Sequence, residues 1–131
     1  MIKWAGRLIV FYGAAHLLGA LTFERAAKHA PAWFSGDLWS DDFSSMSHAN
    51  SALWFSLDSF SIPLIVVGML VLWLDRRGIT PPAFVAWILG AWTLIDAIIL
   101  LFTPWIILLT ATILLLTGIN RAKRLKADSS A

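Results

Sequence analysis

Four long apolar runs constrain this chain more than any other feature of its sequence. They cover residues 4–23, 51–74, 83–102 and 104–119. A mostly apolar run of roughly 17 to 25 residues is long enough to cross a bilayer as a helix, and the fourth run is at the lower limit. The composition, 59% hydrophobic residues against 14% charged, lies outside the range of ordinary soluble domains. We therefore predict an all-α integral membrane protein, a four-helix bundle in which residues 1–131 form a single transmembrane domain.

Lysine and arginine collect at three places beside these runs. They open the chain, separate the second run from the third, and follow the fourth: Lys3, Arg7, Arg76, Arg77, Arg121, Lys123, Arg124 and Lys126. Cytoplasmic flanks of spanning helices are enriched in these residues, so the three places share one side only if both termini are cytoplasmic. Residues 120–131 then form a basic cytoplasmic tail. We expect a multi-pass protein of the cell inner (plasma) membrane.

Residues 24–50 form a long connection on the outer side in this arrangement. The segment mixes aromatic residues with aspartates, as expected of a segment that lies in the membrane interface. We therefore predict an interfacial outer loop between the first two helices. The small residues at 30–32 resemble a signal-peptide cleavage site, but we expect the first helix to be retained.

Composition and spacing argue against several kinds of site. The chain contains no cysteine, which excludes disulfides, c-type haem attachment and cysteine-ligated metal centres. His29 and His48 match no established metal-ligand spacing, and His16 is the only histidine inside an apolar run, which disfavours a b-type haem. The basic residues flank apolar runs and are not interleaved with aromatic residues, which argues against nucleic acid. We expect no metal and no other cofactor.

Three strongly polar residues interrupt the apolar runs at a similar depth. At about 1.5 Å of rise per residue, His16, Asp58 and Asp96 each lie roughly 10 Å inside the outer end of their helix. Because a charge near the bilayer centre costs about 2.5 to 3.5 kcal/mol, we expect the three groups to converge on the bundle interior. We predict a catalytic site in which a protonated Asp96 is the acid, Asp58 is the base, and His16 orients or relays the proton.

Aromatic and hydroxyl side chains near this site are the candidates for substrate binding. Trp54 and Trp92 each precede an aspartate by one helical turn on the same face, and Ser61 and Tyr12 complete the set. Mostly apolar walls with a few polar groups are typical of sites for small ligands. We therefore expect a lipophilic small molecule as the partner, in addition to membrane lipid.

Small residues and one proline predict the helix surfaces around the site. Gly6, Gly13 and Ala20 recur every seven residues, which leaves a smooth strip along the first helix where a neighbour can approach closely. In the second run, Pro63 removes a backbone donor and frees the carbonyl of Ser59. Polar, irregular backbone at membrane depth is tolerated where it is buried or lines a cavity, so we predict a cavity open toward the outer side.

These features favour cofactor-independent acid–base catalysis, of the isomerase, cyclase or hydrolase type, on a lipophilic small molecule. Two neighbouring carboxylates in a poorly hydrated pocket can share one proton near neutral pH. A proton-coupled small-molecule transporter is one alternative, and it requires a homodimer because four short helices seldom enclose a pathway. An accessory or assembly subunit of a larger membrane complex is another. A purely structural role, in which His16 pairs with an aspartate to join helices, also remains open.

The stretch GRLIVFYGAAHLLGAL, residues 6–21, carries a family resemblance. It resembles the opening helix of small bacterial four-helix integral membrane proteins of unknown function. The resemblance implies a bacterial inner-membrane protein with four helices, and His16 corresponds to the histidine of that opening motif. It implies no activity, substrate or cofactor, and the rest of the chain is similar only in length and hydropathy.

Overall fold

The computed structural model describes residues 1–130, and this part of the chain contains helices but no β-strand. The all-α prediction is therefore confirmed. Three short 3-10 helices lie at Ala26–His29, Asp37–Ser40 and Phe43–Ser45. The α-helices are α1 Ile2–Thr22, α2 Ala30–Ser35, α3 His48–Phe55, α4 Ser61–Arg76, α5 Ala83–Ile99 and α6 Trp105–Ser130.

Two of these helices, α1 and α6, are long and apolar enough to cross a membrane, and α5 is apolar but shorter. The helix α6 has 26 residues and continues through the predicted basic tail as far as Ser130. No proline or glycine follows Gly118, and the arginine, lysine, alanine and leucine residues there are good helix formers. The segment predicted as a separate tail is therefore an extension of α6; residue 131 lies outside the described residues.

The second apolar run, residues 51–74, is not the continuous helix predicted from its hydropathy. The helix α3 ends at Phe55 and α4 begins at Ser61. At Ser56 the backbone leaves helical geometry, with φ −113° and ψ −90°, and the Ser56 hydroxyl donates to the Ala52 carbonyl at 2.6 Å. Serine side chains that bond to nearby backbone compete with helical hydrogen bonding, so a serine-rich stretch can end a helix that its average hydropathy would extend.

The chain divides into two compact units. The first contains Met1–Tyr12 and the residues from Val66 onward, and the second is Gly13–Ile65. The helices α1 and α4 contribute to both units. The single transmembrane domain stays a prediction, and each unit is described by itself below.

In the first unit, α5 and α6 pack against each other after a short turn. The face of α5 toward the core is formed by Ala86, Leu89 and Thr93. A Cβ atom added to Gly90 would lie 2.9 Å from the Thr112 methyl group, so this part of α5 has no room for a larger side chain. Most of the large apolar residues of α5 are exposed: Phe84, Trp87, Ile88, Leu94, Ile95, Ile98 and Ile99.

The helices α1 and α4 approach closely at glycines. In the first unit, a Cβ atom on Gly68 would lie 2.8 Å from the Val10 nitrogen and 2.9 Å from the Gly6 carbonyl oxygen. In the second unit, a Cβ atom on Gly13 would lie 2.8 Å from the Ser61 carbonyl oxygen. The close approach predicted along this strip of α1 is confirmed at Gly6 and Gly13.

The predicted outer loop is folded into short helices within the second unit. The Trp33 indole donates to the Ala49 carbonyl at 2.8 Å, which ties α2 to α3. Hydrogen bonds from Asn50 and Ser47 lower the pKa of Asp41. The pKa of Asp42 is lowered by the backbone N–H and the hydroxyl of Ser44. Local hydrogen bonds therefore order a segment that has little buried apolar surface of its own.

The close approach at Gly68 predicts a sharp difference between two glycine substitutions. We expect Gly68→Ala to destabilise the protein by about 1–3 kcal/mol, because its methyl group would meet backbone atoms of α1. Gly19→Ala is the control, since a Cβ atom there meets nothing within 4 Å, and an alanine in a helix is neutral or stabilising by up to about 1 kcal/mol. Thermal unfolding in detergent measures both, and equal losses would contradict the predicted contact.

Candidate functional site

His16 lies in the second unit beside the break between α3 and α4. Its Nε2 atom is 3.2 Å from the Phe55 carbonyl oxygen, and because a carbonyl only accepts, the imidazole donates from Nε2–H. In a continuous helix this carbonyl would accept from the Ser59 N–H, which instead bonds to the Ser56 carbonyl at 3.3 Å. The ring also stacks on Phe60 at a centroid distance of 4.4 Å. The histidine thus satisfies a carbonyl that the helix break releases.

Ser61, predicted to bind substrate, has its hydrogen bonds within the break. Its hydroxyl lies 2.8 Å from the Ser59 hydroxyl, which donates to the Ser56 carbonyl at 2.7 Å. The Ser61 and Ser56 side chains are fully buried. These hydroxyls replace helical hydrogen bonds, so the arrangement supports a structural role for Ser61.

Asp58 lies in the non-helical stretch between α3 and α4, and its residue is exposed. Its backbone N–H donates to the Leu53 carbonyl at 3.0 Å, which turns the chain out of the helical path. The prediction that Asp58 is buried in the chain interior is therefore wrong, because it assumed an unbroken helix. Trp54, one turn earlier, is also exposed and makes an edge-to-face contact with Phe43.

Asp96 belongs to the first unit and lies in the last turn of α5. Its Oδ2 atom accepts from the Thr103 hydroxyl at 3.1 Å, which links the carboxylate to the turn before α6. A narrow crevice beside it is lined by residues from three helices: Tyr12, Trp92, Thr93, Asp96, Trp105 and Leu108. Two of the predicted substrate-binding residues, Tyr12 and Trp92, therefore lie beside Asp96.

This crevice is too narrow to admit a water molecule. Ligand sites usually enclose roughly 300 to 1,000 Å³, so a substrate could enter only after the crevice widens. The predicted catalytic residues also fall in different units, since His16 and Asp58 belong to Gly13–Ile65 whereas Asp96 does not. A shared His16, Asp58 and Asp96 site therefore stays a prediction.

The second unit contains an open cleft of about 440 Å³ that sequence reasoning missed. Glu24 lies just after α1, and Lys28 and His29 lie on the following 3-10 helix. The residues from α3 recur at helical spacing and share one face. The lining residues are Glu24, Ala26, Lys28, His29, His48, Ser51, Ala52 and Phe55.

The titratable side chains of this cleft are Glu24, Lys28, His29 and His48, and none makes a hydrogen bond or ion pair with another described residue. Within residues 1–130, no group of three or more histidine, aspartate or glutamate side chains is placed to hold a metal ion. The cleft therefore offers both charge signs to a small ligand. The helical spacing of His48, Ser51, Ala52 and Phe55 in α3 was the one sequence signal that could have indicated this wall of the cleft.

Comparison with known proteins gives one match. Residues 1–122 match the family described as "Family of unknown function (DUF6463)". The chain belongs to this family. No curated protein and no solved structure matches the chain. The DUF6463 match extends from α1 into α6, so the open cleft and the crevice at Asp96 both lie within it.

The contact of His16 predicts how two substitutions in this DUF6463 chain will differ. His16→Phe keeps an aromatic ring but removes the donor, so we expect a loss of about 0.5–1.5 kcal/mol, the usual net contribution of one hydrogen bond, because this contact is exposed. Asp58→Asn changes an exposed side chain and should stay within about 0.5 kcal/mol of the wild type. Thermal unfolding distinguishes them. Equal losses would instead indicate that His16 and Asp58 are structural partners.

Proposed function

We propose that this protein is a multi-pass integral membrane protein whose four spans are α1, the α3–α4 segment, α5 and α6. The observation that carries the proposal is the inverted pattern of α5. Its buried face combines the small residues Ala86 and Thr93 with one leucine, Leu89, and most of its large apolar residues are exposed. Small residues at helix contacts with large apolar residues facing outward are typical of helices that pack in lipid, where association relies on close van der Waals contact.

Exposed apolar surface on other elements supports the same proposal. Soluble monomers rarely expose apolar patches larger than a few hundred Å². Here α4 also exposes large apolar side chains, as does the turn between α5 and α6: Ile62, Val66, Met69, Leu70, Trp73, Leu100, Leu101 and Phe102. Contact with lipid would account for this exposure without a protein partner.

The charge distribution supports an orientation with both termini cytoplasmic. The basic residues of the N-terminus, of the turn after α4 and of the α6 extension then lie on the cytoplasmic side. The segment 23–45, with α2 and the three 3-10 helices, lies on the outer side, where its exposed aromatic residues suit the membrane interface. Those residues are Phe23, Phe34, Trp39 and Phe43. A bacterial inner membrane, implied by the resemblance of residues 6–21, is part of this proposal.

Single cysteines test the topology cleanly because the natural chain contains none. In intact cells we expect a membrane-impermeant maleimide to label Ser40→Cys, and to label Ser129→Cys only after lysis. Ala91→Cys is the decisive variant, because Ala91 is exposed in the chain yet lies in the middle of α5. It should stay unlabelled in both conditions and react after denaturation. Labelling of Ala91→Cys in folded protein would contradict a lipid-facing α5.

We further propose that the activity of this membrane protein is the binding of a small molecule in the open cleft of the second unit. The cleft has the volume of a ligand site. Its charged and imidazole groups make no hydrogen bond or ion pair with other described residues, so ligand binding would not have to break such interactions. No cofactor is required for this role.

Acid–base catalysis at Asp96 is the second candidate. The observation that favours it is the grouping of the Asp96 carboxylate with Tyr12, Trp92 and the Thr103 hydroxyl. Proton-coupled transport by a homodimer would draw on the same carboxylate. Both functions require a crevice wider than the one observed, so we rank them below ligand binding in the cleft. An accessory-subunit role would need a partner surface, and lipid contact already accounts for the exposed apolar residues.

Filling the cleft tests the binding proposal. Ala52 lines the cleft from α3, and we expect Ala52→Trp to remove any co-purified small molecule detected by native mass spectrometry. Ala91→Trp is the matched control, because Ala91 is an exposed alanine of α5, outside the cleft-bearing unit. Both variants should remain folded by circular dichroism. Equal ligand capture by wild type and Ala52→Trp would contradict binding in the cleft.

A further inference from the structure

We infer that the open cleft recognises an ammonium–phosphate zwitterion, the head group of an ethanolamine phospholipid or its soluble form. This inference rests on the proposed binding function of the cleft. It begins from the two opposite charges in the lining, Glu24 and Lys28. These side chains are four residues apart in the chain but form no ion pair with each other or with another described residue. Each is therefore available to a ligand.

Charge balance selects the ligand class. A simple anion bound at Lys28 would also face the Glu24 carboxylate, and a simple cation bound at Glu24 would face the Lys28 ammonium group. Like charges brought together cost free energy, so neither a simple anion nor a simple cation satisfies both Glu24 and Lys28. A zwitterion places one charge against each and leaves none uncompensated.

The remaining polar groups favour phosphate as the anionic end. His29, His48 and Ser51 line the cleft with Lys28 and can each donate a hydrogen bond. A phosphodiester offers four oxygen atoms as acceptors, two of them ionised, whereas a carboxylate offers two, so the phosphodiester can use more of these donors. The donors lie on both the 3-10 helix and α3, so they could approach one phosphate from two elements.

The cationic end should be a primary ammonium group. Glu24 can accept hydrogen bonds from its N–H groups. A quaternary ammonium has no such donors and is usually held by several aromatic rings, whereas the lining contains one aromatic residue, Phe55. The cleft therefore favours ethanolamine over choline.

The cleft also changes in polarity along α3. His48 and Ser51 lie toward the start of this helix, and Ala52 and Phe55 lie toward its end. This gradient matches an amphiphile, with a charged head at one end and an apolar chain at the other. In the proposed topology, the exposed aromatic residues of the same unit lie in the membrane interface, where such head groups are abundant.

The test uses the full chain in detergent for soluble probes and in nanodiscs for lipids. Calorimetry uses glycerophosphoethanolamine and glycerophosphocholine, called phosphoethanolamine and phosphocholine below, because these diesters carry the single negative charge of the lipid head group. Inorganic phosphate and ethanolamine are the comparison ligands. We expect phosphoethanolamine to bind at least tenfold more tightly than the other three. Nanodiscs with equal amounts of ethanolamine, choline and glycerol phospholipids, analysed by native mass spectrometry, show which lipid is retained and so separate the two sources.

The variants Glu24→Gln and Lys28→Gln should each weaken binding of phosphoethanolamine, or retention of the ethanolamine lipid, at least tenfold. Asp37→Asn and Lys126→Gln are the controls, because both are exposed charges outside the cleft lining. They should leave binding unchanged. Binding of only the soluble head group, or only the lipid, supports the inference when both cleft variants remove it.

Two results overturn the inference and are distinguishable. If inorganic phosphate binds as tightly as phosphoethanolamine and Glu24→Gln has no effect, the cleft is an anion site and not a zwitterion site. If no probe binds while Ala52→Trp still removes a co-purified ligand, the ligand class is wrong but the cleft binds another molecule. If no probe binds and Ala52→Trp removes no co-purified ligand, the proposed binding function itself has failed.

Discussion

The hydrogen bond between His16 and the Phe55 carbonyl is the contact on which the second unit depends. The end of a helix leaves carbonyl groups without intrahelical partners, and each hydrogen bond that replaces a lost one contributes about 0.5–1.5 kcal/mol. Here the histidine donates to one of these carbonyls, and the hydroxyls of Ser56 and Ser59 donate to two others. The break lets α3 be a separate short helix. Its face, from His48 to Phe55, then becomes one wall of the cleft.

Close helix packing explains both the stability of the first unit and the narrowness of the Asp96 crevice. In the lipid environment proposed above, small residues that let backbones approach would supply much of the attraction between helices. Gly68 meets α1 and Gly90 meets α6 in this way. The same approach leaves little space beside Asp96, whose carboxylate is held by Thr103. A site built from such contacts has little capacity to admit a substrate.

Local features of the sequence were enough to predict where most helices lie. The helix α1 follows the predicted run closely, and α5 begins at the predicted residue, Ala83. Hydropathy failed at Ser56 because an averaged apolar run does not register a side chain that bonds to its own backbone. It also missed the end of α6, because basic residues mark a membrane boundary without ending a helix.

The candidate sites were harder to predict because their contacts join distant parts of the chain. His16 and Phe55 are 39 positions apart in the sequence, and neither residue type indicates the other as its hydrogen-bond partner. The cleft combines the chain after α1 with one face of α3, and no compact motif contains both. Trp92 precedes Asp96 by one helical turn, a proximity that helix spacing makes readable from sequence, whereas Tyr12 lies on another helix and comes beside Asp96 only through packing.

Polar groups in an apolar chain serve structure or function according to whether their hydrogen-bonding capacity is already used. His16 and Asp96 stand out in the sequence because a charge inside an apolar run is costly, and that same cost favours a local partner for each. Their partners are the Phe55 carbonyl and the Thr103 hydroxyl. A ligand that used these groups would have to replace contacts that hold helices and turns. The side chains of Glu24 and Lys28 make no hydrogen bond or ion pair with another described residue. The cleft can therefore bind a ligand without loss of such structural contacts.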